Sequence, residues 1–192
     1  IASCLVGSEM CIRDSPCMAD NGKLYQTYSS DMARGTQLLC HKADFILPNL
    51  TEACLLLNEP YRSERYRTRE AVARLAQDLA ARFQCGVVLT GIGFSPEQTG
   101  AACLAGPGDE PAFAFSQKVA RHYHGTGDLF ASVFVAAKVK GLEIGRCAQI
   151  AADFVSDTIA RTVRDGTDER YGVNFEQGIP DLISRFQKEA LL

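Results

Sequence analysis

"ADFILPNLTEACLLL", residues 43 to 57, is the stretch on which the fold reading rests. Ala43–Leu47 is a short apolar run, and Pro48 closes it because proline cannot donate to a strand ladder. A helix opens at Asn49 and runs to about Asn58. A buried strand that feeds straight into a helix is the building unit of an α/β sheet. Asn49 and Glu52 then stand at the carboxyl end of a strand, where open α/β sheets bind their ligands. Glu52 is suited to hold a magnesium ion through water, since magnesium keeps much of its hydration shell. The same two residues also fit a capping-box variant, with Asn49 at N-cap and Glu52 at N3.

Working outward, the alternation continues. Ser29–Lys42 reads as a helix, and Glu59–Arg67 as a polar loop. Thr68–Phe83 is amphipathic, with Val72, Leu75, Leu79 and Phe83 on one face. Gly86–Ile92 is an apolar, β-branched run of the buried-strand type. Gly100–Gly106 and Pro111–Gln117 read as two strands joined by the turn Pro107-Gly108-Asp109-Glu110. A helix from the glycine turn at Gly125–Gly127 reaches about Lys140, and Leu142–Val163 forms another. Pro180 fits the first turn of the last helix. The expected fold is one α/β domain, helices on both faces of a mostly parallel sheet, with a β-hairpin.

Composition narrows the function classes. The 192 residues are 46% hydrophobic with a net charge of −3, and no basic face stands out, so nucleic acid is not an expected partner. No apolar run reaches membrane-spanning length and the start lacks the form of a signal peptide, so neither a membrane partner nor secretion is expected. The eight cysteines form no Cys-x-x-Cys pair, and several sit in apolar runs, as buried free thiols of a reducing, cytoplasmic compartment would.

The sharpest chemical signal is His124-Gly125-Thr126-Gly127-Asp128. Two glycines let the backbone approach an anion, and the helix that follows directs free N–H groups and its positive dipole end at it. Asp128 would face an acceptor hydroxyl in front of that turn. The set suits phosphoryl transfer: an anion hole for phosphate charge and a carboxylate for the alcohol's proton. An ordinary capped helix, with Thr126 or Asp128 as N-cap, fits the same letters. Thr90-Gly91, ending the strand Gly86–Ile92, offers Thr90 as a phosphate contact, or as a hydroxyl satisfied by local backbone. His124 could assist phosphate binding, although loop histidines are often simply solvated.

These pieces resemble the pyridoxal kinases of the ribokinase-like superfamily, particularly the bacterial pyridoxal/pyridoxamine kinases. The similarity rests on "MADNGKLY" (18–25), "ADFILPNLTEACLLL" (43–57), "VVLTG" (87–91), "YHGTGDLFAS" (123–132) and "RYGVNFE" (170–176). It implies a three-layer α-β-α ribokinase-like fold. It implies ATP and Mg2+ as cofactors, with γ-phosphate transfer to the 5′-hydroxymethyl of pyridoxal, pyridoxamine or pyridoxine. Asp128 is then the catalytic base, Gly125, Thr126 and Gly127 the anion hole, and Glu52 the magnesium-binding member of an Asn-x-x-Glu motif with Asn49. Thr90, Gly91 and His124 fall on the nucleotide side. Relatives that phosphorylate hydroxymethylpyrimidine typically carry Cys at the place of Asp128, which favours the vitamin B6 branch. A kinase of another small alcohol (hydroxymethylpyrimidine or a sugar) and a non-catalytic nucleotide-binding remnant are the alternatives. A homodimer is implied for the full-length protein.

The similarity covers about residues 16 to 192. Where the family reads Asp-Pro-Val-Met, this chain has Ser15-Pro16-Cys17-Met18, so Ser15 replaces an aspartate near the ATP phosphates. Upstream, "LVGSEMCIRDS" looks like translated sequencing-adapter sequence. Residues 1–15 are therefore expected to be a foreign or disordered leader, and 16–192 the C-terminal, ATP-binding portion of one kinase domain that is missing its N-terminal strands. Activity of the chain as given is expected to be impaired.

Overall fold

The structure is a computed structural model that describes residues 13–14, 18–26 and 29–189. In chain order come β1 (Arg13–Asp14), β2 (Ala19–Asp20), β3 (Lys23–Leu24), α1 (Ser30–Cys40), β4 (Phe45–Ile46), α2 (Leu50–Leu56) and α3 (Arg69–Phe83). They are followed by β5 (Gly86–Ile92), β6 (Gln98–Leu104), β7 (Ala112–Gln117), α4 (Thr126–Val139), α5 (Ile144–Arg164) and α6 (Ile179–Glu189). The main sheet has the spatial order β1-β4-β5-β6-β7, and β2 and β3 form a separate two-stranded ribbon. β1, β4 and β5 pair in parallel, whereas β5–β6 and β6–β7 are antiparallel. The expected hairpin is thus not an appendage on a parallel sheet but one side of it.

Successive side chains of a strand point to opposite faces, and the central strand shows it. Val87 and Leu89 join one core with Ile46, Leu56, Leu75, Leu79 and Phe83 from α2, α3 and their surroundings. Val88 joins the opposite core with Phe45, Phe134, Ile150 and Phe154, under α4 and α5. Gly86–Leu89 is apolar and buried because both its faces are covered. These two cores are the two α/β interfaces of a three-layer α-β-α fold. Burial also pushes the thiols of Cys85 and Cys147 up to about 11 and that of Cys103 to about 12. Cys54, Cys85, Cys103 and Cys147 are free thiols and, like Cys40, are buried, as expected, while Cys4, Cys11 and Cys17 lie outside the described residues.

Element boundaries shift where pairing or backbone geometry decides them. β6 begins at Gln98 rather than Gly100, because Gln98 and Thr99 pair with Gln117 and Ser116 of β7. At Gly100 the strands lie so close that a Cβ would run into the carbonyl oxygen of Ala114. Helix α5 crosses β7. Gln149 accepts from the Phe115 N–H (3.2 Å) and donates to its carbonyl (2.9 Å), and Ser156 donates to the carbonyl of Gln117 (2.6 Å).

Of the stretch 1–15, only Arg13 and Asp14 are described, and they run parallel to Phe45 and Ile46. This pairing gives the two residues a place in the sheet where the sequence reading gave them none. Ladder hydrogen bonds are made by the backbone, so a strand of this length leaves little trace in residue types. Ser15 lies outside the described residues, as does the rest of that stretch. Among the described residues, no helix is long and apolar enough to cross a membrane.

Candidate active site

The strand-to-helix turn after β4 forms a complete capping box. Asn49 Oδ1 accepts from the Glu52 N–H (3.0 Å), and Glu52 Oε2 accepts from the Asn49 N–H (2.9 Å). The box also holds a distant segment. Glu52 Oε1 accepts from the Met18 N–H (2.8 Å), Asn49 Nδ2 donates to the Ala19 carbonyl (2.8 Å), and the Gly22 N–H donates to Thr51 Oγ1 (3.0 Å). The β2–β3 ribbon is therefore fastened to α2 by three residues of one helical turn. Glu52 is only 4% exposed. Loss of solvation drives its pKa up to about 7, against the backbone N–H groups of Asn49, Met18 and Ala19, which favour the anion.

Asn49→Ala removes both the cap and the Ala19 bond, and should cost about 1–2 kcal/mol of stability in urea unfolding. Asn49→Asp restores the cap acceptor alone and should recover only part of that loss. Equal stability for all three proteins would show that the clamp contributes nothing.

Helix α4 begins without a side-chain cap. Its N-cap is Gly125, at φ 81° and ψ 0°, rather than Thr126 or Asp128. The left-handed conformation explains the correction, since a residue with a Cβ is strained there. Thr126, Gly127 and Asp128 are the first three helical residues, and no cap side chain occupies their N–H groups. A Cβ added at Gly125 or Gly127 would meet nothing within 4 Å, so the turn faces open space. The Asp128 carboxylate is exposed and makes no hydrogen bond among the described residues, while its carbonyl accepts from Ser132 Oγ at 2.8 Å. The Thr126 hydroxyl turns back to the Tyr123 carbonyl (3.4 Å).

Thr90 bridges the two halves. Its N–H donates to the Pro48 carbonyl (2.9 Å), its hydroxyl reaches the same oxygen (3.3 Å), and it forms an isolated parallel bridge with Asn49. The acceptor is 42 residues away in sequence, so the hydroxyl is tied to the neighbouring strand-to-helix turn and not to its own local backbone. Gly91, at φ 72°, makes the irregularity that shifts the β5–β6 register.

One cleft of about 800 Å³ has Asn49, Glu52, Thr90, His124, Gly125, Thr126, Gly127 and Asp128 on its wall. Gly91 lies instead in an adjoining pocket of about 310 Å³, which shares Thr90, Thr126 and Gly127 and is otherwise largely apolar. Asp20, Tyr25, Glu169 and Arg170 also line the main cleft and were not singled out from the sequence. Asp20 and Tyr25 belong to "MADNGKLY" and Arg170 opens "RYGVNFE", with Glu169 just before it, but nothing in their spacing aims a side chain at a distant site. No group of three or more His, Cys, Asp or Glu residues able to hold a metal ion occurs among the described residues.

An uncapped helix start carrying a carboxylate is set beside the strand ends of a three-layer α-β-α sheet, which matches the ribokinase-like class. The profile of the phosphomethylpyrimidine kinase family matches residues 7–172, and the chain belongs to that family. Among solved structures it is similar to pyridoxal kinase from Lactobacillus plantarum, with 27% identity, a TM-score of 0.79, and 91% of this chain and 61% of that chain covered. A Bacteroides thetaiotaomicron structure assigned as a phosphomethylpyrimidine kinase gives 29% identity, a TM-score of 0.83, and 90% and 59% coverage. Pyridoxal kinase from Leishmania donovani, in complex with ADP and pyridoxamine, shares the fold at 18% identity and a TM-score of 0.75, with 90% and 58% coverage. No curated protein matches the chain. The chain thus spans about three fifths of the length of the solved structures it resembles.

Proposed function

We propose that the chain carries the ATP site and the catalytic base of a kinase that phosphorylates the 5′-hydroxymethyl group of pyridoxal, pyridoxamine or pyridoxine. The observation that carries this reading is the Gly125-capped start of α4, with Asp128 in its first turn, opening into the same cleft as Asn49 and Glu52. The acceptor hydroxyl oxygen attacks the γ-phosphorus, the bond to the β–γ bridging oxygen breaks, ADP leaves, and Asp128 takes the hydroxyl proton. The first-turn N–H groups hold the phosphoryl oxygens as charge develops on them. The apolar pocket beside the cleft, with Val119, Val155 and Ile159 on its wall, suits the nucleotide base.

Magnesium is tested by the chemistry of the donors. Both Glu52 oxygens already accept backbone N–H groups, and the described residues offer no cluster of three ligands. A hydrated ion shared with the nucleotide phosphates fits that arrangement, with Glu52 and Asp20 on the cleft wall as its protein side. Bound there, magnesium would neutralise charge between the β- and γ-phosphates.

The Bacteroides thetaiotaomicron protein has also been crystallised with pyridoxal, at 28% identity to this chain, which supports the B6 vitamers as acceptor. The family profile supports hydroxymethylpyrimidine as the second reading. A chimera in which Lactobacillus plantarum pyridoxal kinase supplies the rest of the relative's length should phosphorylate pyridoxal in preference to hydroxymethylpyrimidine, with ADP release as the readout. The 192-residue chain itself should bind magnesium–ATP yet phosphorylate pyridoxal very weakly. ATP binding without transfer in the chimera would favour a non-catalytic remnant, and preference for the pyrimidine would favour the second reading.

A further inference from the structure

The cleft is poor in positive charge for a site that must receive a polyphosphate. Asp20, Glu52, Asp128 and Glu169 all lie on its wall, and among the described residues that line it Arg170 is the only arginine or lysine. Arg170 also lines a second hollow of about 450 Å³, shared with Val163, Thr167 and Asp168, so it stands on the ridge between the two.

In the structure its guanidinium is held by Asp168, which lines the second hollow and not the main cleft. Arg170 Nε and Nη2 donate to the two carboxylate oxygens of Asp168 at 3.0 and 2.7 Å. The Arg170 side chain is nevertheless 83% exposed, and the pair is two residues apart on one loop. Exposed pairs of this kind contribute little and are readily exchanged. Asp168 Oδ1 also accepts from the Arg170 backbone N–H (3.0 Å), so Asp168 keeps a partner if the guanidinium leaves.

The loop is fixed beside the anion-binding turn. Arg121, just upstream of that turn, pairs with Glu169 at 3.2 Å. Gly172, at φ 76°, packs against the carbonyl of His124, with a position for Cβ only 3.9 Å from that oxygen. Arg170 is thus two residues from a contact with the residue preceding Gly125. A planar guanidinium meets phosphate oxygens through two parallel hydrogen bonds, which a neutral donor cannot match.

We infer that Arg170 is a phosphate-binding residue of the cleft, parked on Asp168 and transferred to the nucleotide's phosphates when they enter. The inference rests on the nucleotide reading above. It is tested by titration calorimetry of the 192-residue chain with ATP and, separately, with adenosine, magnesium being present throughout. Arg170→Ala should weaken ATP about ten- to hundredfold and leave adenosine unchanged. Arg170→Lys should restore part of the loss, because it keeps the charge but not the fork. Asp168→Asn should hold or raise ATP affinity, since it frees the guanidinium.

Wild-type ATP affinity in Arg170→Ala, or equal loss of ATP and adenosine, would overturn the role assigned to Arg170 while leaving the nucleotide site standing. Loss of ATP binding in Asp168→Asn as severe as in Arg170→Ala would overturn the transfer from one partner to the other. A wild-type chain that binds neither ligand would remove the nucleotide reading itself, and this inference with it.

Discussion

Replacing Asp128 by alanine in the pyridoxal kinase chimera is expected to slow phosphoryl transfer about 10²- to 10⁴-fold, the usual range for a positioned acid–base group. ATP affinity should change far less, because the proposed anion hole consists of backbone N–H groups at the start of α4 that the substitution leaves in place. Asp128→Asn separates the base from the charge geometry. It keeps the shape of the side chain but cannot take a proton, so it should be nearly as slow as alanine. The carboxylate caps nothing and makes no hydrogen bond among the described residues. Its removal therefore costs only the small dipole interaction of a first-turn acid, about 0.5 kcal/mol. Single-turnover rates of pyridoxal phosphorylation would decide the matter, and an unchanged rate in Asp128→Ala would remove Asp128 from the role of base.

The second large effect is on stability, through Glu52. Burial raises its pKa to about 7 in the folded protein, from an ordinary value of 4.5. Between those two values the folded state holds a proton that the unfolded chain has released. Raising the pH therefore favours unfolding, and the loss is complete once the pH passes about 7. The difference between pH 5 and pH 8 should be about 2–3 kcal/mol, read as a falling urea midpoint. Glu52→Gln should abolish that slope. The amide oxygen can still accept one of the two N–H groups, Met18 or Asn49, but the amide nitrogen would face the other donor. An orphaned buried N–H costs about 1–3 kcal/mol, so the variant should be less stable than the wild type at pH 5 and closer to it at pH 8. A wild-type midpoint independent of pH over this range would show that the two N–H groups outweigh burial and keep the carboxylate ionised.

Much of this molecule can be read from its residues because many of its signals are local. The amphipathic period of Thr68–Phe83, the two-faced apolar run Gly86–Ile92 and the Asn49/Glu52 box each lie within one element, and each forms as the spacing predicts. What escaped depends on distance. The clamp on Met18 and Ala19 joins residues 30 and 34 positions apart, and no spacing rule links them. The N-cap of α4 falls on Gly125 because a positive φ is needed there, a demand set by the turn and not by the capping preferences of Thr126 or Asp128. Arg170 escaped for a similar reason: a lone cation in a loop has no period, and only the folded cleft shows that it shares a wall with Asp20, Glu52, Asp128 and Glu169.

The crossing of α5 over β7 has a consequence for how copies of this protein meet. A strand at the margin of a sheet offers alternating donors and acceptors that a foreign strand can adopt, and such margins are where chains stick together. Here Gln149 already occupies both backbone groups of Phe115, and Ser156 takes the carbonyl of Gln117. A newcomer would have to displace a packed helix to read that ladder. Self-association by adding strands is thereby discouraged on the hairpin side, so solubility during refolding should depend on Gln149 more than its modest size would lead one to expect.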